Sequence, residues 1–518
     1  MSLPNYPAAP QLQQLLGERY VAAPERVERY EVLERGPRGH TGAVLLPQTE
    51  AEVQQILRLC NAQRTPLVIS GGRTGLVEAQ RPLGEPVLSL ERLNRPLSLT
   101  LADGREFVWP AEAASGDAAR DALLAWWTAL GQPDAEGATV TVQTGLAVDA
   151  LNDLLRPLNR MFPMEMGSSS AATVGACAAN ASAGSNAVCY GTSAHMTDTA
   201  WGFWGNGEPA GPCRSTPWTA PDPQRFAINS AQIDPAWGLI GSQGAFGIIT
   251  RLRLRTYAIP AQREAALIPV ADMVGAMRIL DAARGRFGAD VEEFEFISRS
   301  AMALVRALHG EAFRLPFAGD VDSPLFLLLQ IKSADADADL AAALYEFLAG
   351  DLALPDEQIG YAPLAALKKI RHSITEASNA RMRALGGGRL SFDTATPLAG
   401  FGEYLDAMRA ELQRAAPDTE LVAFGHAGVG GAHLHVLGSA DRPVSAVGKT
   451  LTRLVIDVTL AHGGSFSAEH GIGSKWADEY LAHTPSEQLQ TIKALKQAHD
   501  PHNILNPRSF GFDRLLAA

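Results

Sequence analysis

The sequence predicts an α+β protein of more than one domain, and three observations carry that expectation. A chain of 518 residues, 46% hydrophobic and 19% charged, can bury more than one core. Its first half alternates short β-rich runs with amphipathic stretches. A change of composition follows, after which helical and strand-like stretches alternate again.

Residues 40 to 100 read strand, helix, strand, loop, strand: AVLLP, then EAEVQQILRLCNAQ with apolar residues at helical spacing, then PLVISGG and PVLSL. Pro47, Gln48 and Thr49 can start the helix, with Thr49 as N-cap and Glu52 in the capping-box position. Between Glu165 and Asp198 there is no Asp, Glu, Lys or Arg, and GSSSAATVGACAANASAGSNAVCYGTSAHM is dominated by Gly, Ala, Ser and Asn. Such a tract is too polar for a membrane span and too apolar for a solvated linker, so its small side chains let backbone approach a neighbouring helix or a cofactor. WGLIGSQGAFGIITRLRLRTY closes the first half with a glycine-punctuated turn and an alternating strand. From 259 to 455, DMVGAMRILDAARGRF, PLFLLLQI and LAAALYEFLAG alternate helix and strand, as in an α+β domain. PSEQLQTIKALKQAHDP is an amphipathic helix stopped at Asp500-Pro501. The expected division is 1–258, 259–455 and 456–518.

A net charge of −12 with no Lys/Arg-rich run argues against nucleic acid as a partner. No run of 18 apolar residues occurs, and MSLPNYPAAPQLQQLLGERY lacks the basic-then-apolar pattern of a secretory signal. Cys60, Cys177, Cys189 and Cys213 form no CxxC pair, which fits reduced thiols in a cytoplasm.

Three constellations carry chemistry. Ser70-Gly71-Gly72-Arg73-Thr74-Gly75 follows the strand PLVI, and its glycines allow positive φ and expose successive N–H groups, as a pyrophosphate requires. Alone it divides evenly between a cradle and a structural turn, since it is neither GxGxxG nor GK[ST]. The charge-free tract, punctuated by Thr173, Gly175, Asn180, Gly184 and Gly191, reads first as a tightly packed helix with glycine loops. Two such tracts in one half favour a long groove for a dinucleotide. The third constellation is GHAGVGGAHLH, with His426, His433 and His435, followed by SAEHGIG with Glu469 and His470. His433 and His435 share a face of a strand, and a glycine turn can return His426 beside them. Imidazoles with one carboxylate suit Zn²⁺ or a similar divalent ion. Histidines satisfied in a polar core are the alternative, and the added Glu469-His470 pair favours metal. Neither GxSxG nor HExxH is present, so serine hydrolases and zincins lack their usual motif.

As a set, GGRTGL, GSSSAATVGACAANASAG ending in YGT, GLIGSQGAFGIIT, GHAGVGGAHLH, SAEHGIG and DPHNILNP resemble the FAD-linked oxidases of the vanillyl-alcohol-oxidase type fold, in the branch of D-lactate and D-2-hydroxyglutarate dehydrogenases. The resemblance runs from about Pro47 to Pro507. It implies an FAD-binding domain of two α/β subdomains, an α+β cap (substrate) domain that closes over the flavin, and a C-terminal helical segment that packs back onto the FAD domain. By match, Pro47, the loop Ser70 to Gly75 and Leu76, Gly167, Ser168, Thr173, Gly175, Asn180, Gly184, Tyr190, Gly191, Gly244, Gly247, Ile248 and Asn506 would line FAD. His426, His433 and Glu469 match metal ligands, and His470 the catalytic base. Arg371 and Thr375, in IRHSITEA, match positions that hold a substrate carboxylate in the hydroxyglutarate branch.

Departures from the family pattern are Val429 and Gly431 in place of acidic and amide residues, His435 for an asparagine, Ser391 for a lysine and Gln243 for an acid. His435 could then join the metal or substrate site, and Arg381, Arg383 or Arg389 could stand in for the lysine. No His or Cys stands in the GGRTG loop, so FAD is expected to be non-covalent. The implied reaction is metal-assisted oxidation of a D-2-hydroxy acid with hydride passing to flavin N5, and a dicarboxylate such as D-2-hydroxyglutarate is the implied substrate. Electrons would leave for an electron-transferring flavoprotein or a quinone, and a homodimer is compatible with the resemblance. The alternatives are a D-lactate or glycolate-type dehydrogenase, an FAD-dependent transferase of the same fold, a metal-dependent hydrolase that would leave the N-terminal half unexplained, and a flavin-binding relative with a degraded site.

Overall fold

The computed structural model describes residues 6–113, 116–211, 235–310 and 313–517. Cys213 lies outside them; Cys60, Cys177 and Cys189 are free thiols. The chain forms two compact units. The first comprises Met1–Ser182, Thr192–Ile259 and His470–Ala518, and the second Ala183–Gly191 and Pro260–Glu469. The expected break at 455/456 falls inside the Val444–Ala461 helix, whose buried Leu451, Val455 and Ile456 belong to the second unit, so the chain leaves that unit only after Glu469. The expected first domain also loses 183–191, for a reason given below.

The first unit opens with β1 (Tyr20–Val21), β2 (Val44–Leu45), β3 (Val68–Ser70) and β4 (Val87–Ser89), in the order β1-β2-β4-β3. β2 and β3 both run parallel to β4, and the crossover between β2 and β3 is the Glu50–Ala62 helix. Thr49 caps that helix by accepting from the Glu52 N–H at 3.2 Å. The Glu52 carboxylate accepts from the Gln48 N–H and pairs with Arg19 at 2.6 Å. Val53, Ile56, Leu57 and Cys60 on the inner face meet Leu45, Leu67 and Leu88, and also Ile504 and Leu505 of the tail. The tail is thus a member of this core.

The second sheet draws on β5 (Pro96–Thr100), β6 (Glu106–Val108), β7 (Thr139–Gln143), β9 (Thr197–Trp204), β10 (Pro209–Ala210) and β11 (Gly247–Arg255), ordered β10-β9-β11-β7-β5-β6. The short strands β8 (Arg160–Met161) and β12 (Tyr257–Ala258) pair apart. β11 is the expected alternating strand, but flanked by β9 and β7 it is buried on both faces along most of its length. Two of its three arginines are accommodated rather than solvated, while Arg255 at the strand end is exposed. Arg253 pairs with Asp198 at 3.2 Å, and Arg251 lies 4.8 Å over the Trp201 ring.

The second unit is built on one antiparallel sheet: β13 (Gln262–Val270), β14 (Val291–Ser298), β15 (Leu325–Ser333), β16 (Gly386–Ala395), β17 (Glu420–Gly425) and β18 (Gly431–Ser439), ordered β13-β15-β14-β17-β18-β16. The Leu364–Leu385 helix buries Leu367, Ile370, Ile374 and Ala377 against Phe326, Leu328, Val422, Phe424 and Leu437. Strand alternation puts Glu293 and Glu295 of β14, and His433 and His435 of β18, on this same face. On the opposite face Phe296 meets Phe401 edge-on at 5.8 Å. Among the described residues no helix is long and apolar enough to cross a membrane.

Candidate active site

In the first unit a cleft is lined by Gly71, Gly75, Thr173, Gly175, Asn180, Gly244, Gly247, Ile248, His470 and Asn506 of the expected residues. The glycines are there because no side chain fits. A Cβ on Gly72 would stand 2.0 Å from the Ala171 carbonyl oxygen, and one on Gly175 would stand 2.3 Å from Thr144 Cβ. The two glycine tracts therefore press against each other through backbone, which is what brings them to one groove. Ser70 Oγ is buried and has no hydrogen-bond partner among the described residues. The small residues Gly71, Gly75, Thr173 and Gly175 on the wall let a polar ligand such as a pyrophosphate approach the backbone closely.

Not every expected residue reaches the cleft wall. Pro47, Ser70, Gly72, Arg73, Thr74, Leu76, Gly167 and Ser168 are not in its lining. Arg73, at φ 62°, turns its guanidinium to Glu91 at 3.2 Å and over the Tyr30 ring. Gly184, Tyr190 and Gly191 go with the second unit, where the Tyr190 hydroxyl donates to Glu292 at 3.2 Å and Ser185 Oγ donates to Glu293 at 2.8 Å. These polar anchors pull 183–191 out of the first unit.

Sequence reasoning underrated Gln243. It is buried at φ 53°, its Nε2 donates to Asn180 Oδ1 at 3.2 Å and to the His470 carbonyl at 3.5 Å, and its Oε1 accepts from the Gly473 N–H at 2.7 Å. Asn506 Nδ2 donates to the Gln243 carbonyl at 2.7 Å, while Asn506 Oδ1 accepts from the Ile69 N–H at 2.8 Å. An amide at 243 therefore does what a carboxylate cannot, donating and accepting at once. The tail is secured from below by Lys496, fully buried, whose Nζ donates to the Ala245 and Leu505 carbonyls and to Asp500.

In the second unit His426, His433 and Glu469 each offer one ligand atom, all within 4.8 Å of one another. His426 Nε2 lies 3.4 Å from His433 Nε2 and 3.1 Å from Glu469 Oε1. Ligands held at about 2.1 Å in a tetrahedron stand about 3.4 Å apart, so the set fits a small divalent ion. His426 leaves β17 through Gly425, while β18 carries His433. Glu469 is delivered by a segment that runs along β16, where its N–H donates to Asp393 Oδ2 at 2.8 Å. Behind the ligands stand carboxylates. His426 Nδ1 donates to Glu295, and Asp393 Oδ1 lies 3.9 Å from His433 Nδ1.

Charge in this cluster is strongly biased. Burial alone would raise the Glu295 carboxyl, but Arg371 and His426 outweigh it and hold it at about 2. Burial depresses the His433 imidazole to about 4 against the pull of Glu469 and Asp393, leaving it neutral and ready to ligate. For His426 burial also works downward, yet Glu295 and then Glu469 carry it well above the ordinary imidazole range.

The substrate candidates share this face. Arg371 Nε donates to Glu295 at 2.5 Å, and its guanidinium lies 4.8 Å over the Phe424 ring, which also meets His433 and His435. Thr375 is half-buried one turn further on. His435 is buried opposite Ser391 in the β16–β18 register, so these two departures from the family pattern are cross-strand neighbours. Arg381 is drawn to Glu420 and Arg389 Nη1 donates to Asn379, while Arg383 is exposed. A half-buried cation one helical turn before Arg371 is Lys368, paired with Glu293 at 3.0 Å. Val429 is 39% exposed.

The two-part architecture is the vanillyl-alcohol-oxidase type FAD-binding fold. It resembles p-cresol methylhydroxylase with substrate bound (TM-score 0.65, 14% identity, 97% of this chain and 96% of that one) and an alkyldihydroxyacetonephosphate synthase (TM-score 0.67, 14% identity, 98% and 86%). At such identities the likeness establishes the fold. Residues 41–112 and 113–201 match the FAD binding domain, and 259–510 match the C-terminal domain of FAD linked oxidases. The chain belongs to the FAD-linked oxidases. It is similar to a D-2-hydroxyglutarate dehydrogenase of Xanthomonas citri pv. viticola, 28% identical over 90% of this chain and 88% of the relative, and to one of Stutzerimonas stutzeri, 24% identical over 90% of each.

Proposed function

We propose that this protein oxidises a D-2-hydroxy acid to the 2-oxo acid with non-covalent FAD and a divalent ion, zinc by the chemistry of the donors. The observation that carries this reading is the convergence of His426, His433 and Glu469, with carboxylates behind both imidazoles, in a chain whose other unit supplies the FAD groove. The synthase with a similar fold gives no reason for such a set.

When bound, FAD would take a hydride from C2 at N5, and the ion would stabilise charge developing on the 2-oxygen. Two imidazole nitrogens and one carboxylate oxygen leave coordination positions open, suited to the chelating 2-hydroxyl and C1 carboxylate of a 2-hydroxy acid. His470 takes the hydroxyl proton; it follows Glu469 directly in the chain, one residue from a ligand. Gln243 holds the backbone of that base through the His470 carbonyl. Arg371, Thr375 and His435 receive a second polar or anionic group, and the names of the relatives support a dicarboxylate. Loss of the lysine at Ser391 weakens that grip relative to the hydroxyglutarate branch.

Steady-state reduction of an artificial acceptor over matched D- and L-2-hydroxy acids tests the proposal. Turnover should be higher on D-2-hydroxyglutarate or D-malate than on D-lactate and the L acids. Fastest turnover on D-lactate rejects the distal anionic group, and turnover on none of them rejects the dehydrogenase.

A further inference from the structure

Arg371 resembles a residue that reads the substrate, yet its closest partner is not in an open site. Its Nε is committed to Glu295 at 2.5 Å, and the other oxygen of Glu295 receives the Nδ1–H of His426. Glu295 itself is wholly buried in the middle of β14, 131 residues before His426 in the chain. A carboxylate in that position has one evident task. By accepting from Nδ1 it fixes the ring's tautomer and rotation, so that Nε2 presents its lone pair toward His433 Nε2 and Glu469 Oε1. Arg371 restrains the carboxylate from the other side and is itself seated on Phe424.

We propose that Glu295 is a positioning residue for the metal site, and that Arg371 serves the metal through Glu295 as well as the substrate through its remaining N–H donors. The inference rests on reading His426, His433 and Glu469 as metal ligands. It adds a consequence that a pure substrate clamp lacks: occupancy of the metal and grip on the distal group of the substrate are tied to one carboxylate. Replacing Arg371 then weakens metal binding even when no substrate is present.

A matched control is built into the same two elements. Lys368 and Glu293 pair at 3.0 Å one turn along the helix and two residues along β14, with 15% and 3% side-chain exposure, and Glu293 also accepts from Ser185 Oγ at 2.8 Å. Loss of that pair should disturb packing to a similar degree without touching His426.

The test is Zn²⁺ affinity of chelator-stripped, FAD-replete protein, read by competition with a chromophoric chelator, with FAD stoichiometry and circular dichroism as folding controls. Glu295→Gln places an amide N–H₂ against either Arg371 or His426, and its Kd should rise about 10–100-fold, the usual effect of losing such an outer partner. Arg371→Ala should weaken Zn²⁺ by several-fold, and Lys368→Met should leave Kd unchanged. If Glu295→Gln does not accumulate as folded protein, Glu295→Asp keeps the charge but withdraws the carboxylate by one methylene, and it too should bind Zn²⁺ more weakly. Folded variants of Glu295 with wild-type Kd, or an equal loss in Lys368→Met, overturn the inference alone. Failure of the wild type to bind Zn²⁺ overturns the metal reading and the inference with it.

Discussion

The groove of the first unit and the histidine face of the second are made in opposite ways. The groove is shaped by what is missing: Gly72 and Gly175 sit where a Cβ would run into Ala171 or Thr144, and few charged side chains take part. The histidine face is crowded with charge, from Glu293 and Glu295 on β14 to Arg371, His426, His433, Asp393 and Glu469. A ligand held by backbone tolerates changes of side-chain chemistry but no added volume. A site held by buried charges tolerates volume poorly too, and tolerates the loss of a partner still less, because the group left behind is uncompensated.

This contrast makes the two regions separable by mutation. Gly72→Val should abolish FAD retention, since the new side chain collides with backbone at Ala171, while Zn²⁺ binding in the second unit persists. Loss of both ligands together would show that the two regions do not bind independently. Next in size is Arg371→Ala, for which kcat/KM on D-2-hydroxyglutarate should fall roughly a hundredfold, and by less on D-lactate, the monocarboxylate. Equal losses on the two acids would remove Arg371 from distal-group recognition.

Gln243→Glu should cost about 1–3 kcal/mol and a few degrees in Tm, because a carboxylate cannot donate to Asn180 Oδ1 or to the His470 carbonyl. FAD should remain bound and kcat should fall by about tenfold. An unchanged kcat would mean that Gln243 does not hold the base. The smallest effect concerns pH. In metal-free protein Glu295 and Glu469 outweigh burial and raise His426, so it carries a proton that an incoming ion must displace. Apparent Zn²⁺ affinity therefore rises with pH until the raised imidazole value is passed. The stability that this protonated histidine gives the metal-free protein is full below the ordinary imidazole value and is lost as pH rises through the raised one. Titration calorimetry in buffers of different ionisation enthalpy should register proton release on binding; none would contradict the Glu295–His426–Glu469 arrangement.

The same contrast explains what could be read from the amino-acid string. Capping of the Glu50–Ala62 helix by Thr49, the strand PLFLLLQI, and the glycine tracts were legible because each is a local pattern. So were His426, His433 and Glu469, two motifs whose residue types declare themselves. Glu295 was not, since VEEFEFIS reads as an ordinary alternating strand and its partner lies 131 positions away. Lys368 escaped for the same reason, and the arginines considered in its place face Glu420, Asn379 or solvent. The break at 455/456 failed because a composition shift does not reveal which core a helix joins. Tyr190 went with the second unit because Glu292 offers its hydroxyl a buried partner.

The proposed function requires that a metal held by the histidine face enable a D-2-hydroxy acid to reduce FAD held by the groove. Anaerobic mixing of FAD-replete protein with D-2-hydroxyglutarate, followed by flavin bleaching in a stopped-flow instrument, tests it most directly. Bleaching should be rapid with Zn²⁺ restored, nearly abolished after chelation and in His433→Ala, and absent with L-2-hydroxyglutarate, while FAD content stays constant throughout. Equal bleaching by chelated and Zn²⁺-restored protein would contradict the account.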